Sequence, residues 1–446
     1  MPNEIKFNDN YPVITESLKL YDRAKELIPC VTQTLAKGPG QYVKGIAPIY
    51  LRSGKGSHVI DVDGNEYLDY TMGVGPLSLG YSYDRIDNAI KKQLESGITF
   101  SLMHPLELEV AELIHEIIPN AESIRFSKSG ADVTSAAIRL ARAYTGKNTI
   151  LCCGYHGWHD WYISVTDRNK GIPEAIQQMT YTFNYNDINS VIDSIDDDTA
   201  GIILEPVVFE EPKDNFLHKI RKICDEKGIV LIFDEMWTGF RMAMGGAQEY
   251  FGIKADLSTF SKAVANGMPL SILTGKREIM NLLEKDVFFF TTFGGETLSL
   301  AAAKETILEL KEKNVIEYLD KFGKTLKDGI NQLVESYDIP FIKAIGYNFR
   351  TLIAFDASYG NPLEMKSHLQ QELIKNGILW SGSHNMSYSH SREDIDYTLK
   401  VYDKILPLLN DAVEKGNLLT KIKGEVVQPV FRRVGNFNTK PKKFQL

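Results

Sequence analysis

Lys262 lies between an apolar run and a glycine–proline loop, in Thr259-Phe260-Ser261-Lys262-Ala263 and on to Gly267-Met268-Pro269. An ammonium is costly at the end of a buried strand. One reason to place it there is to release its amine as a nucleophile that condenses with a carbonyl. An ordinary solvated loop lysine explains the same letters when they are read alone. Four other segments bear on the choice.

Ser127-Lys128-Ser129-Gly130-Ala131 runs directly into an alanine-rich helical stretch. Backbone N–H groups and the positive dipole end suit an anion such as phosphate there, and Ser129 equally suits a plain helix cap. Tyr155-His156-Gly157-Trp158-His159 is an aromatic loop fit to stack a planar ligand. Its two histidines lack a metal-ligand pattern, and no metal is expected. Asp234 ends the apolar run Ile229–Phe233, and a buried carboxylate needs a cation or donors. A protonated ligand ring nitrogen, a helix N-terminus or Arg241 would each serve. Glu205, before Pro206, adds a second acid after the run Gly201–Leu204.

The elements that must carry these residues are legible. Short apolar runs at 123–126, 149–153, 201–204, 229–233, 257–260 and 271–273 alternate with amphipathic helices at 107–118, 131–144 and 216–227. That alternation predicts an α/β fold with a mostly parallel sheet covered on both faces. Ligands of such sheets bind beyond the carboxyl ends of the strands, where all the segments above fall. An anion turn, an aromatic loop, a buried acid and a lysine amine together suit a planar, phosphorylated pyridine aldehyde, pyridoxal 5′-phosphate (PLP).

The expected divisions are an N-terminal arm over 1–64, shared with a small domain, a large PLP-binding domain over 65–325, a C-terminal small domain over 326–420 and a basic extension over 421–446. Composition fits this reading. The 446 residues are 43% hydrophobic with a net charge of −8. That charge argues against nucleic acid as a partner. Four cysteines form no disulfide framework. No apolar run of membrane-spanning length and no secretory signal are visible, so a cytoplasmic protein without membrane contact is expected. The basic residues after Asn417, from Lys421 to Lys443, read as a solvated extension.

The segments Ser129-Gly130-Ala131, Tyr155-His156-Gly157, Glu205-Pro206, Asp234-Glu235-Met236-Trp237-Thr238-Gly239-Phe240-Arg241, Ser261-Lys262-Ala263 and Thr292-Phe293-Gly294-Gly295-Glu296 together resemble the class III aminotransferases. Within them the chain is most similar to the branch containing glutamate-1-semialdehyde aminomutase. The resemblance implies fold type I, with a smaller α+β domain built from the two termini. It implies that Lys262 holds the cofactor and moves the substrate proton, and that Asp234 keeps the pyridine nitrogen protonated. Tyr155 and Met236 would cover the two ring faces, and Ser129, Gly130 and Ala131 would cradle the phosphate. His156 and Glu205 belong to the same cofactor-side set. Thr292 would reach the phosphate held by a partner subunit, which implies a homodimer with shared sites.

Departures concern the substrate side. The mutase's Ser-Pro-Val-Arg segment corresponds to Gln41-Tyr42-Val43-Lys44, which has no arginine. Its tryptophan before Gly-Pro is Val74, and its Gln-Phe-Glu segment falls in Trp380–Ser387 without the acid. Transfer between an amino donor and a separate carbonyl acceptor is therefore expected over isomerisation; an aminomutase and a non-catalytic scaffold are the alternatives. Gln41, Tyr42, Trp158, Trp161, His384 and Asn385 suggest a hydroxylated or sugar-like acceptor, as in amino-sugar synthesis. Glu296 and Lys44 are candidates for binding an amino-acid donor.

Overall fold

The computed structural model describes residues 7–207 and 209–429. The chain forms two compact units, one from its two ends (to Tyr83 and from Glu317) and one from Asp84 to Ile316. The smaller unit contains strands β1 (Leu51–Lys55), β2 (His58–Asp61) and β3 (Glu66–Asp69). The larger contains β4 (Ser123–Ser127), β5 (Thr149–Cys153), β6 (Thr180–Thr182), β7 (Thr199–Leu204), β8 (Val230–Asp234), β9 (Leu257–Phe260) and β10 (Ser271–Gly275). The smaller unit resumes with β11 (Ile342–Tyr347), β12 (Arg350–Phe355), β13 (Ile378–Leu379) and β14 (Ser383–Asn385). The observed division near residue 83 lies beyond the expected 64. The cause is β3, which pairs with β2 and with β13 and so ties its segment to the terminal unit.

The larger unit's seven strands run in the order β4-β10-β9-β8-β7-β5-β6. Only β10 is antiparallel to its neighbours. The carboxyl ends of β4, β5, β7, β8 and β9 therefore open along one edge, and each leads into one of the segments singled out above. The apolar runs of β7 and β8 are buried on both faces because helices cover both. Ile203, Val230 and Ile232 pack with Ala137 and Ala141 of the helix Gly130–Thr145. Their alternating neighbours Ile202, Leu204, Leu231 and Phe233 pack with Phe216 and Ile220 of the helix Phe216–Lys227. Period-two alternation thus serves two cores at once.

In the smaller unit, His384 and His390 are fully buried. His384 Nε2 lies 3.1 Å from the Tyr402 hydroxyl, and the Ser387 N–H donates to His390 Nδ1 at 3.0 Å. Burial holds His384 down to about 3 and His390 to about 4, against an ordinary value of 6.5. Above pH ~6.5 both rings are neutral, folded or unfolded. As pH falls below that, the unfolded chain takes up protons that the folded chain refuses, so stability is lost towards pH 4. These two residues are expected to remove roughly 4 kcal/mol of unfolding free energy between pH 7 and pH 5. Urea midpoints across that range check this, and a flat profile contradicts it. Among the described residues no helix is long and apolar enough to cross a membrane. Arg432, Arg433, Lys440, Lys442 and Lys443 of the basic tail lie outside the described residues.

Candidate active site

The site lies in the larger unit, at the carboxyl edge of its sheet. Asp234 ends β8 and is 1% exposed. Its parallel neighbour β9, in register with Thr259 opposite Asp234, leads through Ser261 to Lys262. Lys262 has φ +43°, a backbone region that costs a non-glycine residue free energy and recurs at functional positions. Its Nζ stands 4.1 Å from the Trp237 ring centroid, over the π face.

Asp234 pairs with His156. His156 Nδ1 is 2.7 Å from Asp234 Oδ2, and the Met236 N–H donates to Oδ1 at 3.1 Å. His156 Nε2 is 3.1 Å from the Cys153 carbonyl oxygen. Both ring nitrogens thus face oxygen atoms, which fixes the plane of the imidazole against the carboxylate. Glu205 follows β7 and is also buried. Its Oε1 accepts from the Tyr155 N–H at 2.8 Å. Burial raises the Glu205 carboxyl, and the charge of Asp234 raises it further. The Tyr155 N–H, His156 and Lys262 oppose that rise. Two acids, an imidazole and an amine therefore share one edge of the sheet.

Glycines let the segments close on one another. Gly154 has φ +109°, and a Cβ there would stand 2.7 Å from Glu205 Oε1. A Cβ on Gly157 (φ +106°) would meet the Ala131 Cβ at 2.8 Å, and one on Gly130 would meet the Met236 sulfur at 3.0 Å. The aromatic loop, the helix N-terminus and the segment after Asp234 are thus in mutual contact. Tyr155 remains 46% exposed, edge-on to Tyr162 at 5.5 Å.

The helix-cap reading of the Ser129 turn is realised. Ser129 caps the helix Gly130–Thr145 by accepting from the Asp132 N–H, and Asp132 accepts in return from the Ser129 N–H. The Gly130 and Ala131 N–H groups belong to the first turn, which has no intrahelical acceptor. Thr292 is exposed, in a loop packed under β4 through Gly294 and the Phe126 carbonyl.

Most of the substrate-side candidates hold partners within the chain. Glu296 caps the helix Thr297–Glu312 by accepting from the Leu298 N–H at 2.6 Å, and it pairs with Lys128 at 2.8 Å. Its carboxylate is thus committed within the chain. Lys44 likewise pairs with Glu425 at 2.9 Å. His384 is a core residue, and the buried Asn385 donates to the Thr71 carbonyl. Gln41 is buried and donates to the Gln428 carbonyl, and Trp161 is buried and donates to Ser135. The Tyr42 hydroxyl meets Thr71 Oγ1 at 3.0 Å. Only Trp158 of that set stands well exposed. Trp237 carried no role in the sequence reading; its one signal was an aromatic ring three residues past Asp234.

PLP fits this arrangement. The glycine-only cradle over Ala131 suits a phosphate, the buried Asp234 awaits a ring N–H, and Lys262 projects from a strained turn beside both. The fold is that of the fold type I PLP-dependent transferases, and PLP is the cofactor. The aminotransferase class-III family model matches residues 42–392, and the chain belongs to that family. The chain is 35% identical to the 3-aminobutyryl-CoA aminotransferase of Cloacimonas acidaminovorans, over 87% of this chain and 95% of that protein. It is 36% identical to the glutamate-1-semialdehyde 2,1-aminomutase of Persephonella marina, over 80% and 90%. The PLP internal aldimine form of the Sphingopyxis sp. MTA144 FumI protein superposes with a TM-score of 0.83 at 28% identity, covering 90% of this chain and 98% of that one.

Proposed function

We propose that this PLP-dependent aminotransferase moves an amino group between two separate small molecules by a ping-pong mechanism carried by Lys262. The observation that carries the reading is the strained Lys262 set beside the Asp234–His156 pair at one edge of the sheet. A scaffold has no use for that strain. Bound there, PLP supplies a pyridine ring that draws electrons from the substrate's amine-bearing carbon. Asp234 would hold the proton on the ring nitrogen, and His156, 2.7 Å from Oδ2, holds the carboxylate in place. The Gly130 and Ala131 N–H groups take phosphate oxygens. Tyr155 stacks on one ring face, and Met236 covers the other. Lys262 Nζ carries the substrate proton, and the Trp237 ring gives the amine a resting place when it is protonated.

Intermolecular transfer is favoured over isomerisation because Met386 stands in the segment where the mutase has an acid, and it is buried. A single amino donor is expected to load the cofactor once and then stop until a carbonyl acceptor is added. Isomerised product formed from one substrate with no acceptor would instead mark a mutase. A hydroxylated acceptor is the proposed partner, although of the side chains first taken to indicate it only Trp158 still points outward.

We also propose a homodimer in which Thr292 reaches the phosphate held by the second copy. Phe288, Phe290 and Phe293 flank Thr292 and are 73%, 56% and 56% exposed, an apolar surface that a soluble monomer rarely leaves uncovered. Sedimentation equilibrium of the same preparation is expected to give twice the chain mass, and a single-chain mass contradicts the assembly.

A further inference from the structure

Lys366 belongs to none of the groups used above. It lies in the smaller unit on the helix Pro362–Lys375, one turn before Gln370. The Gln370 side-chain amide donates to the Trp380 carbonyl at 2.8 Å and accepts from the Val43 N–H at 2.8 Å. This face of the helix therefore meets the turn Trp380–Ser383. Lys366 reaches that turn at Gly382, where φ is +130° and a Cβ would stand 3.1 Å from Nζ and 3.3 Å from Cε. A side chain at position 382 would close the space the amine occupies.

Lys366 is half-buried, and among the described residues no carboxylate or carbonyl accepts from it. Desolvation alone lowers the amine to about 8, with no acid set against it. A structural lysine ordinarily pairs with a carboxylate or extends its head into water; this one has no carboxylate partner among the described residues and keeps only part of its surface in water. A second donor stands two residues before Gly382. Trp380 is fully buried, and its indole N–H meets no acceptor among the described residues. Between them Ser381 joins a group of hydroxyls. Thr71 Oγ1 donates to Ser381 Oγ at 3.4 Å and lies 3.0 Å from the Tyr42 hydroxyl. The acid of this corner, Asp69, is already taken by the Thr71 and Met72 N–H groups and the Tyr81 hydroxyl, which leaves the Lys366 amine and the Trp380 N–H without an acceptor among the described residues.

We propose that Lys366 and the turn Trp380–Gly382 form an oxyanion-binding site for a carboxylate or phosphate group. Such a ligand supplies the counter-charge the ammonium lacks, through charge-assisted hydrogen bonds in a desolvated setting. The group comes either from the carbonyl substrate itself or from a separate small anion, and only the first source rests on the aminotransferase reading. Binding weakens as pH rises through the amine's titration, because a neutral amine offers no charge to the anion.

The test uses holoenzyme whose cofactor lysine has been fixed by borohydride. Acetylation of Lys366 by acetic anhydride is followed by peptide mass spectrometry, with and without inorganic phosphate or malonate. Both anions are expected to protect Lys366. Equilibrium dialysis of radiolabelled phosphate is expected to show at least about tenfold weaker binding by Lys366→Met, the loss of one charged hydrogen bond. No protection by either anion, or equal phosphate binding by the variant, overturns the site. Turnover of the unreduced enzyme with paired acceptors, one anionic and one neutral, identifies the source. If the anion belongs to the substrate, Lys366→Met raises KM about tenfold more for the anionic acceptor. An equal effect on both, with protection retained, assigns the site to a separate anion. If wild-type enzyme shows no half-reaction with any amine, the aminotransferase reading fails, while the protection experiment still decides Lys366.

Discussion

Lys262→Ala is expected to abolish covalent attachment of PLP and to lower transamination by about a thousandfold or more, because the same amine both attaches the cofactor and moves the proton. The fold is expected to survive. Lys262 lies two residues past a strand whose core side chains (Leu257 and Phe260) are untouched. Removing the side chain does not relieve the backbone at φ +43°, since alanine also disfavours that region. The variant should therefore keep wild-type secondary structure and lose only the cofactor absorbance above the protein band. Retention of that absorbance after gel filtration contradicts the assignment.

The second large effect is expected at Asp234. Asp234→Asn keeps shape and hydrogen-bonding capacity at Oδ1, where the Met236 N–H donates. It removes the charge that faces His156 at 2.7 Å. Without that carboxylate the ring nitrogen loses its proton and the ring draws electrons poorly. The half-reaction rate is expected to fall roughly 10²- to 10³-fold, the size of losing one preorganised electrostatic group. His156→Asn should do less, because it leaves the acid in place and removes only the ring that positions it. Single-turnover absorbance kinetics rank the two variants. A larger loss at His156 than at Asp234 would show that the acid is not the group facing the cofactor.

The strands β5, β7 and β8 were legible because each is an apolar run buried on both faces, and the site followed from what stands after each run. β6 was not. Thr180-Tyr181-Thr182 has no apolar run and is a strand only because β5 offers it an edge. The partner of Asp234 was also hidden. Sequence shows that a buried acid needs a cation or donors, but the choice of His156, 78 residues away, is made by the register of β5 and β8 through the intervening β7. The substrate loops misled for a related reason. Gln41, His384 and Asn385 are polar letters, yet Gln41 and Asn385 spend their amides on carbonyls 387 and 314 residues distant in sequence. Composition cannot distinguish such a satisfied core amide from one that waits for a ligand.

The central claim is that Lys262, among all the lysines of the chain, carries the cofactor. Borohydride reduction of the holoenzyme, followed by proteolysis and mass spectrometry, tests it most directly. A single pyridoxyl adduct on the peptide containing Lys262 is the expected result; an adduct on Lys366 or any other lysine, with Lys262 unmodified, would contradict it.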